Sequence, residues 1–205
     1  MSRQITTKTK ILNAAEQLFA SSGFAETSMR QITNKADVNL ASVNYHFGSK
    51  KDLTVEVIDR YLSQLMPDIA TEIERIESIS NPEQVLSCFV VPLMNLEQIN
   101  RGGTTRFLRL LGRGYVDAQG HLRKFITETY SKEIAVIMAA LHKSMPHLSE
   151  QDLFWRVHFS LGTSVFTLAA SDALTEIVRA DFDTEVTTEE ILTRLLPFIS
   201  SGFAR

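Results

Sequence analysis

The stretch NLASVNYHFGSKKDL, residues 39–53, gathers the chain's densest run of short hydrogen-bonding side chains. Asn39, Ser42, Asn44, Tyr45 and His46 supply amides, a hydroxyl, a phenol and an imidazole, and Lys50 and Lys51 follow a Gly-Ser break. The set contains no nucleophile paired with a base and no pair of carboxylates, so it is not built for bond-breaking chemistry. It suits recognition of a polar, negatively charged surface: amides and hydroxyls meet base edges, while lysines and backbone N–H groups meet phosphates. A second cationic group, Arg106, Arg109 and Arg113, recurs at i, i+3 and i+7 and is followed by His121, Arg123 and Lys124. That spacing makes either a solvated cationic helix face or an anion site at the mouth of an apolar pocket. The five histidines, 46, 121, 142, 147 and 158, fall into no HExxH or comparable ligand spacing. With no nucleophile elbow and no phosphate-binding glycine loop either, no enzyme, metal or cofactor is expected.

Helical periodicity positions these groups, and no segment alternates with period two. Ile11, Ala14, Ala15, Leu18 and Phe19 form one stripe of a helix over 7–22, which Gly23 ends. Ser28 and Gln31 have capping-box spacing at the start of a short helix to Lys35. Asp37 and Val38 make a turn, and Asn39 caps a third helix, Leu40 to Phe47. Its inner face is Val43 and Phe47 at i, i+4, joined by Leu40, which leaves Ala41, Asn44 and Tyr45 outward with Ser42 flanking. Two short helices joined by a tight turn are a helix-turn-helix, and the outer face of the second fits a major groove. Gly48 stops that helix, and Ser49 with Asp52 starts a fourth that runs to Pro67. Longer helices are expected over 68–78, 82–99, 104–115, 120–143, 149–178 and 187–201. The class is all-α: a three-helix DNA-binding domain at 1–53, joined by the fourth helix to a helical body within 54–205, to which the family resemblance carried by residues 11–53 assigns ligand binding and dimerisation.

Charge divides the same way. Residues 1–53 hold seven Lys/Arg against four acids, whereas the remainder holds fourteen against twenty. A basic head on an acidic body suggests a polyanion partner for the head alone. The lone Cys88, in VLSCFVV, excludes an internal disulfide and reads as a core residue. The most apolar run, from Leu153, is broken by Arg156, His158 and Gly162, so neither a membrane span nor a secretion leader is expected and the chain is assigned to the cytoplasm.

Residues 11–53, ILNAAEQLFASSGFAETSMRQITNKADVNLASVNYHFGSKKDL, resemble the N-terminal domain of the TetR family of bacterial transcriptional regulators helix by helix. AAEQLFASSGF, the Thr27-Ser28 start and YHFGSKKDL carry most of the likeness. Asp37 stands where the family usually has glycine, and Asn44 where an aromatic is common. The resemblance implies phosphate contacts at Thr27, Ser28, Tyr45, His46 and Lys50, base contacts at Ala41, Ser42 and Asn44, and Asn39 at the helix start, with Lys51 beside them. It implies core roles for Phe19, Phe24, Ile32, Val43, Phe47 and Leu53. His46 as a cap on its own helix is the local alternative.

RLLGRGYVDAQGHLRKF, residues 109–125, is similar to the C-terminal domain of the family's regulators of fatty-acid metabolism, which implies a long-chain fatty acid or acyl-CoA as effector. Arg106, Arg109, Arg113 and Phe166 are then the ligand-binding candidates. The apolar 149–178 segment must be covered on several sides. The last helix carries Ile191, Leu192, Leu195, Leu196 and Ile199, a stripe that packs on the body or on a second copy; the resemblance favours the second copy. The expected protein is a homodimeric repressor on an inverted-repeat duplex operator, released by a small hydrophobic effector. A drug-responsive efflux regulator and a helical protein-binding module without DNA are the alternatives.

Overall fold

The computed structural model describes residues 6–117 and 119–203, and all its regular elements are helical. They are α1 Thr7–Ser22, α2 Met29–Ala36, α3 Leu40–Phe47, α4 Lys50–Glu74, α5 Pro82–Ser87, α6 Val90–Asn95, a 3₁₀ turn Leu96–Gln98, α7 Gly103–Asp117, α8 Gln119–Thr129, α9 Ser131–Ser144, α10 Glu150–Ala169, α11 Ser171–Phe182 and α12 Thr188–Phe203. Two compact units result. The first comprises residues 1–62 and 109–129, the second 63–108 and 130–205.

In the first unit α1, α2 and α3 pack on one another around fully buried Ile11, Phe19, Ile32 and Val43. Phe24 folds back on Phe19 with ring centroids 4.9 Å apart, because Gly23, at φ 90, turns the chain out of α1. The expected core residues Phe19, Phe24, Ile32, Val43, Phe47 and Leu53 are all buried. Leu40 is not; it is 51 % exposed at the first turn of α3, so Val43 and Phe47 alone dock that helix. The unit does not follow the contiguous division at residue 53. Val57, Ile58, Tyr61 and Leu62 of α4 lie in its core, and a methyl added at Gly114 would stand 3.7 Å from Phe24. One buried charge is held here: Glu16, 1 % exposed, accepts from Arg60 Nη1 at 3.0 Å, and the same nitrogen donates to Asn13 at 2.7 Å.

In the second unit α12 packs against α10 and α5, and α5 against α9. Leu192, Leu195 and Ile199 of the expected stripe are buried within the chain, with Phe203, while Ile191 and Leu196 stay half-buried. The apolar α10 departs from expectation the other way. Only Leu153 and Leu168 of α10 are buried, while Phe154, Trp155, Phe159 and Phe166 are 45–73 % exposed. Burial and the negative charge of Glu72 push the Cys88 thiol above its ordinary pKa, and the thiol donates to the Gln84 carbonyl at 3.3 Å, as suits an inert core cysteine.

Several boundaries moved. α4 runs through Pro67, which lies on the exposed face, so the Ser63 carbonyl that loses its partner is also on the exposed side. The expected 82–99 helix breaks at Cys88–Phe89, four residues before Pro92, where that ring removes the donor to the Cys88 carbonyl. The 120–143 and 149–178 segments each divide at one residue, Tyr130 (φ -106, ψ 26) and Ala170 (φ -98, ψ 12). Neither carries a local breaker; Tyr130 is buried, and tertiary packing sets that bend. The start of α7 is closed by Glu97, which accepts from Gly102 N at 2.8 Å and Thr104 N at 3.2 Å.

Replacing Arg60 by Met should leave Glu16 without its guanidinium and lower stability by roughly 2–4 kcal/mol, measured from the urea midpoint. Gly103→Ala should also destabilise, since its Cβ would lie 2.1 Å from the Leu96 carbonyl oxygen. An unchanged midpoint in either variant would contradict the packing described.

Candidate nucleic-acid interface

α3 is eight residues long, too short to persist alone in water, and its position comes from Val43 (0 % exposed) and Phe47 (6 %). Asn39 begins it, its Oδ1 accepting from Ser42 N at 2.8 Å and from Ser42 Oγ at 3.0 Å. Those bonds occupy the Asn39 carbonyl oxygen and orient the Ser42 hydroxyl inward along the helix. Ala41, Asn44 and Tyr45 face outward as expected, with Tyr45 85 % exposed. His46, half-buried, meets Tyr45 edge-on at 5.1 Å between centroids.

The turn into α3 depends on Asp37, which adopts a left-handed conformation (φ 54, ψ 54) and donates its N–H back to Asn34 O; Val38 N donates to Thr33 O at 3.1 Å. Glycine enters that region without strain, whereas Asp does so by virtue of its short polar side chain. Beside the turn lies a shallow polar recess bordered by Thr7, Thr33, Asn34, Asn39 and Ser42. Thr7, Thr33 and Asn34 were not singled out from sequence; their polarity alone does not separate them from an ordinary solvated surface.

Two helix starts flank α3. At α2, Ser28 accepts from Gln31 N at 3.2 Å while Gln31 Oε1 accepts from Ser28 N at 2.7 Å, the capping box read from sequence. At α4, Ser49 and Asp52 do the same, with Ser49 N donating to Asp52 Oδ2 at 3.2 Å. Lys50 Nζ reaches back to the Ala25 carbonyl at 3.1 Å, so its charge stands near the start of α2. A cation and a positive helix end thereby converge, the arrangement that favours a phosphate. Thr27 differs from expectation. It is 1 % exposed and its hydroxyl donates to the Gly23 carbonyl at 2.7 Å, so that side chain locks the loop and offers nothing outward. Lys51 is exposed.

Of the ligand candidates, Arg106, Arg109 and Arg113 share helix α7, and Phe166 lies on α10. Arg106 belongs to the second unit, where its guanidinium donates to Asn100 Oδ1 at 2.8 Å and to the Arg101 carbonyl at 3.3 Å. Arg109 and Arg113 belong to the first unit and are exposed. Phe166 is 73 % exposed on α10. An apolar groove within the second unit has Arg194 on its wall, and none of these four residues. Among the described residues no group of three or more His, Cys, Asp or Glu is placed to hold a metal, and no described helix is long and apolar enough to cross a membrane.

Exchanging Asp37 for Gly should relieve the left-handed strain and raise stability by about 0.5–1 kcal/mol, seen as a higher urea midpoint. A lower midpoint would mean the Asp37 side chain holds the turn through contacts that outweigh its backbone cost.

Residues 11–57 match the bacterial regulatory proteins of the tetR family, and residues 87–202 match the tetracyclin repressor-like C-terminal domain. The chain is 31 % identical over 105 residues to the probable HTH-type transcriptional regulator YttP of Bacillus subtilis, a stretch covering 51 % of this chain and 50 % of that protein. The chain thus spans about half the length of that curated relative. Its fold is shared with a TetR-like transcriptional regulator from Rhodococcus sp. RHA1 (TM-score 0.64, 18 % identity, 100 % and 99 % of the two chains). The fatty acid degradation regulator FadR from Bacillus halodurans has the same fold (TM-score 0.60, 14 % identity, 98 % of each chain). Matching family models over both its N-terminal helices and more than half its length, the chain belongs to the TetR family of bacterial regulatory proteins.

Proposed function

We propose that this protein is a cytoplasmic, homodimeric transcriptional regulator that represses from an inverted-repeat duplex operator and is released by a small hydrophobic effector. The observation that carries the DNA-binding part is the rigid outer face of α3. Ala41, Asn44 and Tyr45 stand over buried Val43 and Phe47, between two helix starts and Lys50. Small and amide side chains on such a face can enter a major groove, where Asn pairs with adenine through two hydrogen bonds. One eight-residue helix reads too few base pairs to select a site in a genome, so two copies are required.

The face for pairing is supported by α10. Trp155, Phe159, Gly162 and Phe166 recur at i, i+4, i+7 and i+11, with all four positions exposed in the single chain. A methyl at Gly162 would meet nothing within 4 Å, so the stripe has room for another helix to approach closely. Such a contiguous aromatic stripe is costly to leave in water.

A long-chain fatty acid or its coenzyme A thioester is the effector class we favour. The likeness of residues 109–125 to fatty-acid-responsive relatives supports it, as does the fold shared with the Bacillus halodurans fatty acid degradation regulator. Release requires that the effector bind the DNA-incompetent conformation better, and α4 is the natural lever. It is one continuous helix from Lys50 to Glu74, starting beside the interface and ending in the other compact unit.

Lys50→Ala should weaken binding to every duplex alike and lower the salt slope by about one. Asn44→Ala should cost roughly 1–3 kcal/mol at particular base pairs and relax preference there, in a binding assay over a randomised operator library. Loss confined to one specific site in both variants would overturn this division of labour, and affinity insensitive to salt would overturn DNA binding itself. Phe159→Glu should convert the dimer to a folded monomer by light scattering and circular dichroism, with operator affinity falling in step. A parent protein that stays monomeric at micromolar concentration, with and without DNA, would refute the paired reading.

A further inference from the structure

The outward side of α3 carries two rows of side chains spaced four residues apart. Leu40 and Asn44 make one row, Ala41 and Tyr45 the other, and all four are exposed. The rows change character along the helix. Their C-terminal ends are an amide and a phenol, whereas their N-terminal ends are hydrocarbon. Leu40 is the larger of the two apolar groups and is 51 % exposed, because Val43 and Phe47 dock the helix without it.

The polar side chains of the same turn are turned to other work. Ser42 gives its hydroxyl hydrogen to Asn39 Oδ1 at 3.0 Å, and the same oxygen accepts from Ser42 N at 2.8 Å. Both residues also border the polar recess shared with Thr7, Thr33 and Asn34, and Leu40 lies outside it. Leu40 therefore stands clear of the protein's own polar surface, on the first turn of the helix proposed to enter the major groove. In a helix-turn-helix the N-terminal residues of the second helix are the ones that meet base edges. An aliphatic side chain has no hydrogen bond to offer there. Of the features that base pairs display in the major groove, one is apolar: the methyl group on C5 of thymine.

We propose that Leu40 is a specificity-determining residue that packs on the methyl group of a thymine. The first turn of α3 then selects a T·A pair by a hydrophobic contact, while Asn44 selects its own base by hydrogen bonds. Cytosine lacks that methyl and both purines lack it, so the contact discriminates thymine from every other base at this position. This rests on the DNA-binding reading of the α3 face and gives that face a second kind of readout.

The test takes the full-length protein and a duplex enriched from a random pool by repeated binding and recovery. Each thymine of one half-site is replaced in turn by deoxyuridine, which removes the methyl and keeps every hydrogen-bonding group. At one position the replacement should weaken binding of the parent protein about fourfold, the factor for one methyl withdrawn from an apolar contact. Leu40→Ala should bind the thymine and uracil duplexes equally at that position, with unchanged circular dichroism and unchanged affinity for random duplex. Asn44→Ala should keep the fourfold ratio, since its loss falls at a different base pair. A fresh selection with Leu40→Gln should change the preferred base at the thymine position and at no other. The contact is overturned if no thymine shows the ratio, if Leu40→Ala retains it, or if Asn44→Ala removes it. An enriched duplex on which Asn44→Ala relaxes its own preference, with no thymine sensitive to the methyl, rejects the Leu40 contact and leaves DNA reading by α3 standing. A pool that yields no enriched duplex rejects both.

Discussion

The seating of α3 on Val43 and Phe47 is the constraint on which the first unit depends. Eight residues cannot nucleate and hold a helix in water, since fixing the first turn costs more than its few hydrogen bonds return. Two buried side chains, a capping asparagine and a stopping glycine supply what the helix lacks. The consequence is chemical as well as structural. With one face spent on docking, whatever lies on the other is held rigidly and cannot collapse onto the protein. Ala41, Asn44 and Tyr45 occupy that other face.

The polar contacts around α3 have different tasks that composition does not distinguish. Ser28 and Ser49 bind their own helix starts, Thr27 is sealed inside the loop, and Lys50 spans from α4 to the Ala25 carbonyl. Buried Glu16 is tolerated because the Arg60 guanidinium donates to it at 3.0 Å. These local locks make the unit a stiff platform. The second unit is organised otherwise. Its apolar residues exceed what a single chain covers, leaving an aromatic stripe on α10 and an open groove between α11 and α12. Excess apolar surface of this kind is where further molecules bind.

The sequence by itself determined the helical class, the positions of α1 to α3, their caps and, Leu40 excepted, their core. These are local facts: stripe periodicity, capping spacing and chain-ending glycines act within a few residues, so they are written where they operate. The family likeness was legible for the same reason, since residues 11–53 carry their pattern contiguously. Only the tertiary structure decided the rest. The bend at Tyr130 carries no breaker of its own, and Pro67 breaks nothing because it and Ser63, whose carbonyl loses its partner, lie on the exposed face of α4. Residues 109–129 join the first unit through a contact between Phe24 and the chain at Gly114, ninety positions apart, which no local pattern announces. Thr27 reads as an exposed donor until the Gly23 carbonyl claims its hydroxyl. Burial and hydrogen-bond commitment decide these cases, and both exist only once the chain has folded.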